Sequence, residues 1–230
     1  MTNPEASLPL AEPVLDGVCT RIEAYYTAKL ARHGAIPLGV DWSCTATQWL
    51  RFVQLLKICS FETPFSLIDM GCGYGALVTF LKERHPQACV DYFGIDLSPA
   101  MVRCARRRYR RESAVRFAVG RRLPVQADYV VASGIMNVAL GSPVLLWEDF
   151  IRTILTDMHS MSRRGFAVNF LAKPPRGGTS DQLYCSSPDK WLRFCREELA
   201  CTVEVLDNYG MQEFTLLAHG APSVQVRGGG

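Results

Sequence analysis

Apolar positions recur at three- and four-residue intervals near the start of the chain, at Val14, Val18, Ile22, Tyr25, Tyr26 and Leu30. This spacing predicts an amphipathic helix that stops at His33-Gly34. After a turn holding Pro37 and Gly39, Ser43 or Thr45 can cap a second helix with Trp49, Phe52, Val53 and Leu56 on its apolar face. From Phe65 the period changes. Short apolar runs alternate with helical ones: FSLIDMG before ALVTFLKERH, VDYFGID before SPAMVRCARRRYRRE, then AVRFAVG, ADYVVASG before VLLWEDFIRTILTDMHSM, GFAVNFL before SPDKWLRFCREEL, and last TVEVLD and EFTLLAHG. Strands alternating with helices predict parallel strands, right-handed crossovers and a sheet covered on both faces. The gap around Asn208-Tyr209-Gly210 is too short for a helix and suits a hairpin, which leaves the last strand antiparallel.

Composition narrows the class. The chain has 230 residues, 48% hydrophobic and 20% charged, and at this size a core burying roughly 70–75% of the unfolded surface needs no staples. Nine cysteines (19, 44, 59, 72, 89, 104, 185, 195 and 201) form no C-x-x-C pair and are odd in number. That argues against a metal site and a secreted disulfide framework, so reduced thiols in a cytoplasmic protein are expected. The opening MTNPEASLPLAEP has acids and three prolines where a signal peptide has a basic end and an apolar run. No run reaches the ~18 apolar residues of a membrane helix. The long segment Ala172–Ser187, with Pro174, Pro175, Gly177 and Gly178, reads as a functional or disordered loop.

Charge is unevenly spread. Between Arg103 and Arg122 nine arginines stand against one acid, Glu112, although the whole chain is only +3. Such a cluster can neutralise phosphates. Its shortness and the acidic balance of the rest favour a solvated helix face over a nucleic-acid reader.

The strongest chemical signal is Asp69-Met70-Gly71-Cys72-Gly73-Tyr74-Gly75, directly after an apolar run and before a helix. Open α/β sheets bind ligands at the carboxyl ends of their strands, where glycines let the backbone approach a ligand closely. The G-x-G-x-G spacing counts against a dinucleotide, which favours G-x-G-x-x-G. A second acid, Asp96, ends the next apolar run, where a carboxylate can accept hydrogen bonds from both ribose hydroxyls of a nucleoside.

On these two motifs the chain resembles the class I S-adenosylmethionine-dependent methyltransferases, from about Phe65 to Gly220. The resemblance implies a Rossmann-like α/β fold, a seven-stranded mixed sheet with helices on both faces and the last strand antiparallel. It implies S-adenosylmethionine as cofactor, with the loop under its methionine part and Asp96 on its ribose. The stretch HGAIPLGVDWSCTATQWLRFVQLLKI and the segment ASGIMNV look like a bacterial subgroup with a helical N-terminal cap and small-molecule substrates. The expected organisation is a cap over 1–62, a cofactor-binding domain over 63–220 and a disordered tail over 221–230. In one departure, AVRFAVG runs into Arg121-Arg122 where many relatives place an acid for the adenine amino group.

Candidate roles follow. Asp69, Gly71, Gly73, Asp96, Leu97 and Ser133 are assigned to the cofactor, with Trp42 in an aromatic wall alongside Tyr25 and Tyr26 that attracts a sulfonium. Arg51 is a candidate clamp for the cofactor's carboxylate. Tyr26, Asn137 and Tyr184 are the catalytic candidates: Asn137 by orienting an amine or hydroxyl, Tyr184 with Ser186 by closing the pocket from the long loop. No histidine (33, 85, 159, 219) falls in a tip loop after strands one to five, so no general base is announced. The leading expectation is methyl transfer to a small molecule by in-line displacement under the cap. A second is cyclisation of the cofactor's own methionine part to azetidine-2-carboxylate and 5′-methylthioadenosine, as in azetidine synthases of this fold. A third is an RNA methyltransferase using the arginine cluster, and a fourth a fold that binds the cofactor without turnover.

Overall fold

A computed structural model describes residues 10–174 and 182–220. The expected tail and part of the expected long loop lie outside these residues. Helix α1 (Glu12–His33) is followed by a short 3-10 turn (Pro37–Val40) and α2 (Thr45–Leu55). Then come β1 (Phe65–Met70), α3 (Ala76–Arg84), β2 (Val90–Asp96), α4 (Pro99–Arg108), β3 (Val115–Val119), β4 (Ala127–Ala132), α5 (Val144–Met161), β5 (Ser162–Leu171), α6 (Pro188–Glu197), β6 (Thr202–Leu206) and β7 (Glu213–His219). The seven strands form one sheet in the order β3-β2-β1-β4-β5-β7-β6. Strands β1 to β5 run parallel, and β7 is inserted antiparallel between β5 and β6. The order reverses between β1 and β4, which opens a crevice at their carboxyl ends.

Alternation along the strands sends side chains to two cores. Ile68, Met70, Val130, Ala132, Phe166 and Val168 face α5 and α6, where they meet Trp147, Ile151, Leu155 and Trp191. Leu67, Tyr92, Phe117, Tyr129 and Val131 face the opposite way, onto Phe52 and Leu55 of α2, Leu77 and Phe80 of α3, and Met101 and Val102 of α4. A sheet buried on both sides explains why the central strands read as unbroken apolar runs rather than as alternating ones. The edge strand β6 does alternate, with Thr202 and Glu204 exposed and Val203 buried.

Two local expectations differ from what forms. Neither Ser43 nor Thr45 caps α2; Cys44 holds the N-cap position, and the Thr47 hydroxyl bonds back to its carbonyl at 3.0 Å. Val53 points into solvent, and the buried face of α2 carries Gln48, Arg51 and Gln54 beside Phe52 and Leu55. The buried polar residues masked the true face. All nine cysteines are free thiols.

Gly94, in the middle of β2, sits where no side chain fits: a Cβ there would lie 2.7 Å from the Phe117 ring and 2.8 Å from the Cys72 sulfur. Gly94→Ala is therefore expected to destabilise the fold by about 1–3 kcal/mol through overpacking. Urea unfolding should show a lower midpoint at an unchanged slope. An unmoved midpoint would mean that Phe117 and Cys72 yield without strain.

Candidate active site

The crevice is floored by the loop between β1 and α3. Gly71, Gly73 and Gly75 have φ of 76°, 53° and 81°, a region that disfavours any Cβ. At Gly71 the demand is also steric, since a Cβ would sit 2.2 Å from a methyl carbon of Ile135. The amides of Gly71 and Cys72 donate to the Ile95 carbonyl at 2.8 and 3.1 Å, and that of Gly73 donates to Asp96 Oδ2 at 2.9 Å. Asp96 Oδ1 accepts from the Ser98 amide at 2.8 Å. Burial pushes the Asp96 carboxyl above the ordinary carboxylate range, and these two amides oppose the shift. Asp69, one strand over, is buried and accepts from the Tyr92 hydroxyl at 2.6 Å. Burial pushes it up to about 7, with the Tyr92 bond opposing and the nearby Asp96 charge adding.

Helix α1 roofs this floor. Cys19, Ile22 and Tyr26, on one face of the helix, line the cleft, and Val40 and Trp42 continue the wall. The remaining lining comes from Gln48 and Phe52 of α2, Tyr74, Leu97, Met101, Gly120, Arg121, the β4 tip (Ser133, Gly134, Ile135, Val138) and Phe150 and Ile154 of α5. No histidine is among these lining residues. The roof is fastened at separate points. Thr27 and Ser98 share a hydroxyl–hydroxyl bond of 2.7 Å, Arg21 donates to Ser142 Oγ at 3.1 Å, and Arg121 pairs with Glu12 and, at 3.2 Å, with Asp16. Arg122 also pairs with Glu12. Other members of the arginine cluster are held internally too: Arg106 donates to the Phe117 carbonyl and Arg116 to Asp91.

Of the residues singled out from the sequence, Tyr26, Trp42, Asp69, Gly71, Gly73, Asp96, Leu97 and Ser133 all line this one cleft. The Ser133 hydroxyl is buried with no protein partner. Five residues are placed otherwise. Arg51 does not line the cleft: its Nε donates to Glu213 Oε2 at 2.7 Å, its Nη2 to Glu213 Oε1, and its Nη1 to the Thr47 carbonyl at 2.8 Å. A buried guanidinium requires a buried anion, and Glu213 on β7 supplies it 162 residues away. Asn137 is turned from the cleft and stitches strand ends, its Oδ1 accepting from the Leu171 amide at 3.0 Å and its main-chain carbonyl from the Tyr184 amide at 2.8 Å. Tyr184 points into the core, where its hydroxyl donates to Glu148 at 2.9 Å. Ser186 is bonded to the neighbouring Ser187 carbonyl and is likewise not part of the wall. Tyr25 stays outside and braces Tyr26 edge-on at 5.1 Å between ring centres.

Sequence reasoning missed Cys19, Gln48, Gly120, Phe150 and Ile154, and the role of Arg121 as a fastener. Cys19 stands three residues before Ile22 and seven before Tyr26, so the helical spacing of the first segment did carry a signal for it. The α5 pair looked like ordinary core.

A family model described as a methyltransferase domain matches residues 67–165. A putative methyltransferase of Mycobacterium tuberculosis is 38% identical over 167 residues, covering 72% of this chain and 99% of that protein. A trans-aconitate 2-methyltransferase of Methylobacterium nodulans is 36% identical over 76 residues, 30% of this chain and 28% of that protein. Among solved structures, the magnesium protoporphyrin IX methyltransferase of Synechocystis PCC 6803 with bound S-adenosylhomocysteine superposes with a TM-score of 0.59 at 15% identity, over 88% of this chain and 99% of that one. The Haemonchus contortus phosphoethanolamine N-methyltransferase 1 superposes with a TM-score of 0.63 at 11% identity, over 93% and 51%.

The raised Asp69 makes the fold sensitive to pH. With a folded-state value of about 7 against an ordinary value of 3.8, the folded chain keeps a proton that the unfolded chain has released. Its stabilising contribution is complete below about pH 3.8 and is lost as pH rises through about 7. Asp69→Asn cannot ionise, yet its amide oxygen can still accept from Tyr92. Relative to wild type the variant is expected to gain on the order of 2 kcal/mol between about pH 5 and pH 8. Urea melts across this range test it; parallel stability curves would show that Asp69 is ionised in the fold.

Proposed function

The chain belongs to the class I S-adenosylmethionine-dependent methyltransferases, and on that premise we propose that it transfers a methyl group to a small, uncharged acceptor held under helix α1. The observation that carries this reading is the closed cleft itself. One helix face and the carboxyl ends of β1, β2 and β4 enclose a space walled by aromatic and aliphatic side chains, with Asp96 fixed at one end by two amides. Bound there, S-adenosylmethionine supplies an electrophilic methyl group on a positively charged sulfur.

The residues present fit such a group. Asp96 uses one lone pair of each oxygen on backbone amides, so others remain for two ribose hydroxyls. The left-handed glycines bring bare backbone to the cleft floor for the methionine part. Leu97 and Gly120 offer flat apolar surface for the adenine, in place of the acid that this chain lacks. The buried Ser133 hydroxyl, unpartnered within the protein, is free to hold a polar atom of cofactor or acceptor. Tyr26 and Trp42 give the sulfonium ring faces worth about 0.5–2 kcal/mol. With no histidine in the wall and Asp69 turned to Tyr92, acceleration comes from alignment and exclusion of water rather than from a general base.

The acceptor class follows from charge. Among the described residues the one cationic side chain in the wall is Arg121, and its guanidinium is engaged by Glu12 and Asp16. A polycarboxylate such as the substrate named for the trans-aconitate relatives would lack a counter-charge here. An RNA acceptor is disfavoured because four of the nine clustered arginines, 106, 116, 121 and 122, are bonded within the chain.

Asp96→Ala is expected to weaken binding of both S-adenosylmethionine and S-adenosylhomocysteine by about 2–3 kcal/mol, from the loss of two charge-assisted hydrogen bonds. Calorimetry on a folded variant measures it, and unchanged affinity would remove Asp96 from the site. Mass spectrometry of the adenosine product then identifies the reaction. S-adenosylhomocysteine formed only with an added acceptor is the expected result. 5′-Methylthioadenosine and azetidine-2-carboxylate formed from the cofactor alone would replace methyl transfer by cyclisation.

A further inference from the structure

Behind the cleft wall lies a buried chain of polar contacts that the reading above does not use. Arg51 and Glu213 are 5% and 3% exposed and form a two-pronged pair. The Asn169 side chain, fully buried on β5, donates to Glu213 Oε2 at 3.1 Å and accepts from the Gly134 amide at 2.8 Å. The two ends of this chain meet again at one side chain. The Arg51 guanidinium lies over the Trp42 ring, 3.7 Å from its centre. Gly134, at φ 80°, packs so close to the same ring that a Cβ would lie 2.4 Å from it. Trp42 and Gly134 both line the cleft, whereas Arg51, Asn169 and Glu213 do not.

The electrostatics of this arrangement are specific. An aromatic ring attracts a cation through its electron-rich face, and a guanidinium already seated on the ring draws on the same density. An unpaired cation a few ångströms behind the wall would also repel a second positive charge in the cleft directly. The carboxylate of Glu213 cancels that charge and holds the guanidinium plane against the ring by a bidentate pair. Through Asn169 it also sets the height of Gly134 at the ring's edge.

We propose that Glu213 is a positioning residue of the methyl-donor site: by neutralising and orienting Arg51 behind Trp42, it lets the aromatic wall accept the sulfonium of S-adenosylmethionine. The proposal rests on the methyl-donor reading given above. It makes a prediction about charge that a purely structural role does not. S-adenosylmethionine carries the sulfonium and S-adenosylhomocysteine is its neutral counterpart, so the ratio of the two affinities reports the potential at the wall while shared contacts cancel.

Calorimetry with both ligands, on wild type and on two single variants of opposite sign, tests it. Glu213→Gln leaves Arg51 unpaired and is expected to lower the preference for S-adenosylmethionine over S-adenosylhomocysteine about tenfold. Arg51→Gln removes the guanidinium and its positive charge from behind the ring and should shift the ratio the other way. The double variant Arg51→Gln with Glu213→Gln, which carries neither charge, should return to the wild-type ratio. Thermal melts report folding; if Glu213→Gln does not fold, the upward shift in Arg51→Gln and its cancellation in the double variant carry the test. Equal weakening of both ligands in the single variants would overturn the proposal and reduce the pair to scaffolding, leaving the methyl-donor reading intact. A wild-type protein that binds neither ligand would overturn that reading and this inference together.

Discussion

Asp96 ends β2 with its carboxylate half-buried at the cleft, where a charge without donors would be disfavoured. Two backbone amides hold it, and each imposes a geometry on a different element. The Gly73 amide can reach Oδ2 because the β1–α3 loop passes through the left-handed region at Gly71 and Gly73. The Ser98 amide can reach Oδ1 because α4 begins immediately after the strand. Ser98 then caps α4 by accepting from the Met101 amide, and its hydroxyl also meets Thr27 of the roof. Floor, helix α4 and lid are thus referred to one carboxylate.

The lid's other fastenings differ in kind. The hydroxyl pair of Thr27 and Ser98 is part-buried, beyond the reach of salt. The ion pairs at the beginning of α1 involve acids more than half exposed, Glu12 and Asp16. Exposed pairs of this type contribute little and are screened at physiological ionic strength. The roof is therefore held firmly where Thr27 meets Ser98 and loosely near Arg121. A cleft that must admit and release ligands gains from such asymmetry, since one end can lift while the other keeps the wall in register.

Most of the architecture was legible in the sequence because it follows from period and punctuation. The alternation of runs set the parallel strands, and the short gap at Asn208-Tyr209-Gly210 set the antiparallel insertion of β7. The cleft floor was legible because left-handed backbone beside a ligand leaves glycines as its trace. What failed were side chains whose partner is remote in sequence. Arg51 resembled a ligand clamp because nothing nearby could neutralise it; Glu213 lies on the last strand, and only the closed sheet brings the two together. Asn137 and Tyr184 resembled catalytic groups because they occupy a strand tip and a long loop. The Asn137 side-chain oxygen is engaged by the Leu171 amide and the Tyr184 hydroxyl by Glu148, both fixed only once β5 and α5 are in place.

A common principle connects these misplacements. Polar groups around the cleft are engaged before any ligand arrives: Asp69 by Tyr92, Gly134 by Asn169, Arg51 by Glu213, Arg121 by the lid acids. Each engagement fixes an orientation, so the wall does not have to rearrange during a displacement that depends on alignment, and less free energy is lost in ordering it. Two lining residues keep open positions: the Ser133 hydroxyl has no protein partner, and Asp96 retains further lone pairs. A site organised in this way selects by shape and by a few open polar positions, which is why its chemistry can be read from the groups that the fold leaves unsatisfied.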